Sequence, residues 1–329
     1  GVNLTISGST ATFGNDLPAD VGVGDAIQYD ASDDGAIDSI CFIHRRIAAD
    51  AYAVKSLTGA APVECATADR DWGIYRAYTS LANWEDGTEN SGIDGGAGFS
   101  DAGDRDIAAN NEQWNIACYA DGADSDMVVI DGWTTAAAQY IKIYTPVSAD
   151  EVGSSQRHNG KTHTGYYMQP TSYSTYGTVD IRDAFVRIEG IELDCSLGDP
   201  YDGNYKGIGT RIGDGDGDVY ISHCLIHHVS GGPGGVYLRG SNKSGMTYYV
   251  YNNIMHNNHE CGIYAGYSGF EAYIYNNTLV NNGWGGHATY HDGVHVRSNV
   301  DAAYLINNIA SGNAGDDFYG MGNAHVADY

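Results

Sequence analysis

The chain repeats a short pattern of alternating apolar and polar residues that ends in asparagine pairs. "YVYNNIMHNN" begins at Tyr249, and "YIYNNTLVNN" begins at Tyr273. Alternation over a few residues predicts half-buried β-strands rather than helices. Short β-like runs separated by polar loops of variable length continue from about residue 114 to the end, and this pattern predicts a repeating all-β structure.

The central apolar residue of the repeated phrase serves as an anchor for aligning the repeats. The anchors recur at slightly irregular steps, and they are Ile188, Ile221, Val250, Ile274 and Leu305. Ile130 precedes Ile188 by about twice the usual step, which fits two further repeats. A second phrase, Gly or Asp followed by a β-branched or aromatic residue, begins at positions 207, 235, 262, 293 and 317. Units of this kind predict the coils of a parallel β-solenoid, whose apolar faces are buried by stacking.

Asparagines recur at two fixed offsets from the anchors. They are Asn253, Asn277 and Asn308 at the first offset, and Asn258, Asn282 and Asn313 at the second. Equivalent residues of successive coils lie about 4.8 Å apart, so each amide can donate to one neighbour and accept from the other. We therefore predict two structural asparagine ladders.

The repeats also resemble those of a known family. "YYVYNNIMHNN", "AYIYNNTLVNN" and "AYLINNIASGN" resemble the right-handed parallel β-helix repeats of the pectin-lyase-like superfamily, over about residues 114–329. The phrases "VGDAIQYD", "DDGAIDSICFIHRR" and "YTSLANWEDGTEN" resemble those of secreted β-helix repeat proteins of uncultured bacteria. The resemblance implies a secreted, extracellular or cell-surface location, and it implies no particular activity.

The chain divides into three predicted regions. Residues 1–70 read as a small antiparallel β subdomain, because short alternating runs are separated by Gly, Asp and Pro. Residues 71–113 contain a short capping helix that begins after Thr79 or Ser80 and ends near Gly87, followed by a polar loop. Residues 114–329 form the parallel β-helix.

The charge balance limits the possible partners. Lys and Arg number 16 against 42 Asp and Glu, giving a net charge of −26. This balance argues against binding to nucleic acid or to anionic lipid. No apolar run of about 18 residues predicts membrane insertion, and no leader begins at Gly1, so we expect the chain to be cytosolic or already processed.

The six cysteines show no C-x-x-C spacing, which argues against a cysteine-ligated zinc site. Cys41 and Cys65 flank a predicted hairpin and can form a disulfide there. The alternative is that all six cysteines are small buried hydrophobes.

Aromatic columns mark one predicted contact surface. Four tyrosines precede successive anchors, and three rings follow the second phrase in successive coils: Tyr220, Tyr249, Tyr273 and Tyr304, then Tyr237, Tyr264 and His295. Outward rings at this spacing suit contact with carbohydrate or with a protein partner. The alternative is that the long loops 196–206 and 283–292 fold back and cover them.

Catalytic candidates follow from the resemblance. A polysaccharide lyase of that superfamily holds calcium with clustered carboxylates and uses Lys or Arg as the base, which implies Asp292, Asp316 and Asp317 with Arg239 or Arg297. A glycoside hydrolase needs two carboxyl groups about 5–10 Å apart, and Glu189 with Glu192, or Asp316 with Asp317, are candidates. None of these residues lies in a recognisable family motif, so an enzymatic role is the less favoured interpretation.

Two metal sites are suggested. "DASDDGAID" resembles a calcium loop with ligands Asp30, Ser32, Asp34 and Asp38, although Cys41 stands where a calcium loop has Glu. A turn between two strands is the alternative, and no other cofactor is expected. Five histidines of the repeat region form a second candidate, a transition-metal site, because His227 and His256 share one offset and His223, His228 and His259 lie nearby.

The end of the chain suggests self-association. No capping segment follows the last repeat, so we expect another subunit to cover the final coil, or the native chain to continue beyond Tyr329. Head-to-tail or strand-mediated contacts of this kind can build filaments. The favoured function is a structural, assembly or adhesion protein outside the cell. The alternatives are a polysaccharide lyase or glycoside hydrolase, and a polysaccharide-binding module.

Overall fold

The computed structural model describes residues 3–69, 71–99, 104–171, 177–197, 205–213, 216–240, 245–285, 290–320 and 324–328. The chain forms two compact units, one of residues 1–103 with 145–156 and one of residues 104–144 with 157–329. Among the described residues, no helix is both long and apolar enough to cross a membrane.

The first unit contains one antiparallel sheet. Its seven strands are Leu4–Ser7, Thr10–Phe13, Asp25–Tyr29, Ser39–Arg46, Ala51–Lys55, Cys65–Asp69 and Trp72–Arg76. Alternation buries one side of the first strand, since Leu4 and Ile6 are fully buried in a shared apolar cluster. The strand Trp72–Arg76 pairs with Asp25–Tyr29, so the sheet extends past residue 70.

The described residues contain three short helices, which lie in the chain between the strands Trp72–Arg76 and Trp114–Ala117. They are Leu81–Asp86, the 3-10 helix Gly95–Ala97, and Ile107–Asn110. The predicted helix near Trp84 is confirmed: Ser80 is its N-cap, because the Ser80 hydroxyl accepts the Asn83 N–H at 3.0 Å. Gly87 ends the helix with a φ of 69°, a left-handed conformation that glycine adopts without strain.

The second unit contains three parallel sheets, which the chain visits in turn. Sheet A comprises Trp114–Ala117, Ile141–Tyr144, Val186–Glu189, Gly217–Ser222, Met246–Tyr251, Phe270–Tyr275, Ala302–Ile306 and Ala324–Asp328. Sheet B comprises Ala123–Asp124, Tyr167–Met168, Glu192–Asp194, Leu225–His227, Ile254–His256, Thr278–Val280 and Ile309–Ser311. Sheet C comprises Val128–Ile130, Val179–Ile181, Lys206–Thr210, Gly234–Arg239, Ile263–Gly266, Val294–Val296 and Phe318–Tyr319. This is the predicted right-handed parallel β-helix, all-β, with a separate antiparallel sheet near the N-terminus.

The register of sheet A confirms the anchor alignment. The anchors pair directly along the sheet and are buried: Ile188, Ile221, Val250, Ile274 and Leu305. The placement of Ile130 in the same series is wrong, since Ile130 lies in sheet C opposite Ile181. Ile143 is the true predecessor of Ile188 in sheet A. The connection that follows Tyr144 is much longer than the later ones. An alignment that assumes a constant repeat length therefore goes out of register at that point.

The two asparagine columns form continuous ladders along the β-helix. Asn253 Nδ2 donates to Asn277 Oδ1 at 3.0 Å, and Asn277 Nδ2 donates to Asn308 Oδ1 at 3.0 Å. In the second ladder the matching distances are 2.9 Å from Asn258 to Asn282 and 3.0 Å from Asn282 to Asn313. Each Oδ1 atom also accepts the backbone N–H of the preceding rung. The ladders therefore satisfy backbone groups at the corners, where strand pairing is interrupted.

A glycine column explains why the second phrase begins with glycine. A β-carbon at Gly262 would lie 2.9 Å from the Gly293 carbonyl oxygen and 3.2 Å from the Asn282 amide nitrogen. A β-carbon at Gly293 would lie 2.5 Å from the Asp317 carbonyl oxygen and 3.0 Å from the Asn313 amide nitrogen. Only a residue without a side chain leaves room for the adjacent coil and the neighbouring amide ladder.

The structure agrees with the second prediction for the cysteines, in which all six are small buried hydrophobes. The disulfide between Cys41 and Cys65 is wrong, because all six cysteines are buried thiols. Burial raises the pKa of the Cys41 thiol to about 12 and that of the Cys195 thiol to about 11. These thiols are therefore protonated packing groups rather than nucleophiles.

Candidate functional site

The first predicted aromatic column lies on the outer face of sheet A, and we call it the tyrosine column: Tyr220, Tyr249, Tyr273 and Tyr304. Parallel pairing puts these residues directly above one another in four successive coils. Their rings stack at centroid distances of 4.5, 5.2 and 4.6 Å, with interplanar angles of 7°, 14° and 14°. All four side chains are half-buried. The stacked rings form a straight, ordered strip.

Stacking determines which part of each ring is accessible. The faces of the inner rings cover one another, so ring edges and hydroxyl groups point outward. A sugar stacks on a ring face, whereas a flat partner surface can pack along ring edges. Tyr251 and Tyr275 form a second stacked pair on the same sheet, at 4.9 Å and 2°, and widen the strip.

A shallow groove lies at the end of the column that begins with Tyr220. The Arg187 guanidinium continues the stack, 5.3 Å from the centre of the Tyr220 ring and 3.5 Å from that of Tyr140. Beside it, the Glu189 carboxylate accepts from Lys142 at 2.9 Å and from Arg157 at 2.6 Å. Burial raises the pKa of Glu189, but these two cations outweigh burial and leave the pKa below its usual range. The groove thus concentrates three cations in a strongly acidic protein.

The second predicted column forms but is not exposed, and in this respect the prediction is wrong. Tyr237, Tyr264 and His295 lie in register in sheet C, yet their exposed fractions are only 7%, 3% and 4%. Tyr290 packs edge-on against Tyr264 at 5.2 Å and against His295 at 5.3 Å. The loop 283–292 therefore supplies a covering ring, as the alternative interpretation expected. Residues 198–204 and 286–289 of the two long loops lie outside the described residues.

The catalytic candidates do not converge on one exposed centre. Asp292 is buried, and its carboxylate bonds His295 Nδ1 at 2.7 Å and accepts the Asp316 N–H at 2.8 Å. Asp317 is exposed and accepts the Asn313 amide at 2.8 Å, which ends the second ladder.

The arginine candidates engage aromatic rings. Arg239 lies 4.6 Å above the Tyr267 ring. The Tyr264 hydroxyl raises the pKa of Arg297 through its electrostatic interaction and a hydrogen bond. The glycosidase pair of Glu189 and Glu192 is divided between sheets A and B.

The predicted calcium loop is a tight turn closed by its own carboxylates. Asp30 accepts the N–H groups of Asp33 at 2.7 Å and Gly35 at 2.6 Å, and the Ser32 hydroxyl at 3.3 Å. Asp38 accepts the N–H groups of Ala31 and Ser32, and Asp34 accepts that of Ala36. The amide donor from Ala31 is the largest influence that lowers the pKa of Asp38. Calcium would have to share these oxygens with backbone amides.

Sheet B carries a cluster of imidazoles and carboxylates on strands 192–194 and 225–227. Asp194 pairs directly with His227, and His227 pairs with His256 in the next coil. The His227 and His256 rings stack at 5.0 Å with an angle of 4°, as their shared offset predicts. Burial, followed by the neighbouring His227 and His228, lowers the pKa of His256 to about 4. Glu192 and His163 complete the cluster.

Sequence reasoning found His227, His228 and His256 of this cluster but missed His163 and the two acids as partners. Counting back one coil from His227 gives Asp194, so the repeat alignment contains that signal. His163 comes from a loop, and its approach to Asp194, at 2.9 Å from Nε2 to Oδ2, has no sequence signal. In the part of the chain that the structure describes, two groups have metal-ligating atoms within 4.8 Å of one another: Asp194 with His227 and His228, and Cys261 with Asp292 and His295.

Comparison with known proteins agrees with this architecture. Residues 188–328 match the family model of a right-handed β-helix region, which covers the repeats with the clearest anchors. No curated protein and no solved structure gives a significant match to the chain. The match supports the fold, and the narrower resemblance to the pectin-lyase-like superfamily and to secreted bacterial proteins stays a prediction.

Proposed function

We propose that this β-helix is an extracellular or cell-surface structural protein whose tyrosine column is the contact surface for assembly or adhesion. The observation that carries the proposal is the stack of four half-buried rings on one flat parallel sheet. Tyrosine is favoured at interfaces because it is rigid and amphipathic.

Order within the column supports this role. Each inner ring is held on both faces by its neighbours, so little side-chain freedom remains to be lost when a partner binds. Loss of such freedom costs about 0.5–1.5 kcal/mol for each mobile side chain at an interface. A preformed strip of tyrosine ring edges and hydroxyl groups therefore favours contact with a flat protein surface over contact with a single sugar ring.

The charge distribution indicates a second copy of the chain as the partner. The net charge of −26 makes most surfaces repel another copy. The groove beside the column gathers Lys142, Arg157 and Arg187, with the Glu189 carboxylate bonded to the first two and the Asp218 carboxylate close to the third. This local excess of positive charge is complementary to the acidic remainder of a neighbouring molecule.

Sedimentation of the purified full chain over a range of concentrations tests the proposal. We expect concentration-dependent association that weakens strongly in the double variant Tyr249→Ser/Tyr273→Ser. Tyr319→Ser is the matched control, since Tyr319 is 49% exposed but lies on sheet C. Circular dichroism confirms that each variant stays folded. A native chain that remains monomeric throughout, or equal loss in the control, contradicts the proposal.

A second candidate, binding of an acidic polysaccharide, is favoured by the groove alone. Arg187 and the Tyr140 and Tyr220 rings offer a cation beside aromatic surface, a combination that suits a uronic acid. Retention on immobilised acidic polysaccharides, lost in Arg187→Met, supports this candidate. Absorbance of unsaturated products in the same incubations tests for lyase action.

A further inference from the structure

The sheet B cluster has the composition of a metal site. Asp194 and His227 occupy paired positions of adjacent coils, so their side chains project from the same face of the sheet. His228 follows directly with a φ of 56°, and this left-handed turn brings its Nδ1 atom to 2.8 Å from His227 Nδ1. His227 Nδ1 lies 3.6 Å from Asp194 Oδ1. Three ligand atoms therefore converge.

Surrounding groups orient these ligands. Glu192 is fully buried, and its Oε1 atom lies 3.0 Å from His227 Nε2. A proton on Nε2 donated to this carboxylate leaves the Nδ1 lone pair directed toward Asp194 and His228. Gln169 donates to Asp194 Oδ2 at 2.7 Å and fixes the second acid. A carboxylate that accepts the second ring N–H of a ligating histidine is typical of the groups that support metal ligands.

The charge of the cluster favours a cation. Glu192 and Asp194 are both buried acids, and among the residues the structure describes no lysine or arginine contacts either carboxylate. Their contacts are imidazoles, the Gln169 amide, the Ser196 hydroxyl and backbone N–H groups. Neither carboxylate has a permanently charged partner among these contacts, so a bound divalent ion would supply the positive charge beside them.

We propose that Asp194, His227 and His228 bind one divalent transition-metal ion, with zinc as the probe. Two imidazoles and one carboxylate suit this class of ion, and three protein ligands leave a fourth position for solvent. The ion joins two neighbouring coils, since Asp194 lies in one and His227 in the next. His163, 41% exposed, lies at the open side of the site.

Calorimetric titration of the chelator-treated full chain with zinc chloride tests the site. We expect one zinc per chain with high affinity, and a rise in the thermal midpoint because only the folded chain holds the site. His228→Asn removes the imidazole but tolerates the left-handed backbone, and it should lower zinc affinity at least about 100-fold. Glu192→Gln should lower the affinity about 10- to 100-fold.

His223→Asn is the matched control, because His223 has the same φ of 56° and lies outside the three ligands. We expect it to leave zinc affinity and stoichiometry unchanged. Cobalt absorption bands in the native chain, absent in His228→Asn, give a second readout that does not depend on stability. No zinc binding by the native chain, or equal binding by His228→Asn, overturns the proposal.

Discussion

Removing one rung of the first asparagine ladder is the sharpest perturbation of the β-helix. Asn277 is 1% exposed, and its side chain joins three coils. Its Nδ2 group donates to the Val250 carbonyl at 2.9 Å and to Asn308 Oδ1 at 3.0 Å. Its Oδ1 atom accepts from the Asn253 backbone N–H at 3.1 Å and from Asn253 Nδ2 at 3.0 Å. Asn277→Ala removes all four hydrogen bonds.

The cost follows from the groups that are left behind. Asn253 is also 1% exposed, so its backbone N–H and one of its amide hydrogens lose their acceptor without access to water. A buried donor without a partner costs about 1–3 kcal/mol. With two such donors, we expect Asn277→Ala to lower the free energy of unfolding by about 2–6 kcal/mol.

Urea unfolding followed by circular dichroism measures this change, and hydrogen exchange locates it. We expect the Asn253 amide to lose protection first, because that amide loses its acceptor. Asn276→Gly is the neighbouring control, since Asn276 is exposed with a φ of 55°, which glycine adopts freely. The control should change stability by less than about 1 kcal/mol.

One result would refute the reasoning. If Asn277→Ala unfolds at the same urea concentration as the native chain and the Asn253 amide stays protected, the ladder does not stabilise the corner. The backbone pairing on either side would then be sufficient.

Two further variants test other parts of the β-helix. Gly262→Ala should destabilise the chain by about 1–3 kcal/mol, because the new methyl group would meet the Leu279 side chain, the Gly293 carbonyl and the Asn282 amide; the urea midpoint measures this. Glu260 is 5% exposed, and burial raises its pKa to about 8 from an ordinary 4.5, with Lys206 opposing the shift. The folded chain therefore holds that proton more tightly, and stability falls as the pH rises from about 5 to about 8. Glu260→Gln should abolish this loss, worth up to roughly 4 kcal/mol, in melts at both pH values; an unchanged pH dependence contradicts the assignment.

The solenoid could be predicted from the sequence because its residue pattern repeats in each coil. The anchors and both asparagine columns recur with nearly constant offsets inside each coil, and parallel pairing converts equal offsets into vertical alignment. Alternation within each strand then decides which side chains face the core. The coils, the ladders and the tyrosine column of sheet A follow from these two rules.

Only the tertiary structure decided which aromatic side chains are exposed and which residues from separate segments come together. Tyr237 and Tyr264 have the same outward phase as the half-buried tyrosines of sheet A, yet Tyr290 from a loop covers the Tyr264 ring. Strand register pairs Asp194 with His227 of the next coil, but the contact of Asp194 with His163 depends on the path of an earlier loop. Repeat offsets describe the strands, whereas loop length and path are independent of the repeat. The sequence by itself therefore determined the scaffold, and folding of the loops determined which of its faces are open.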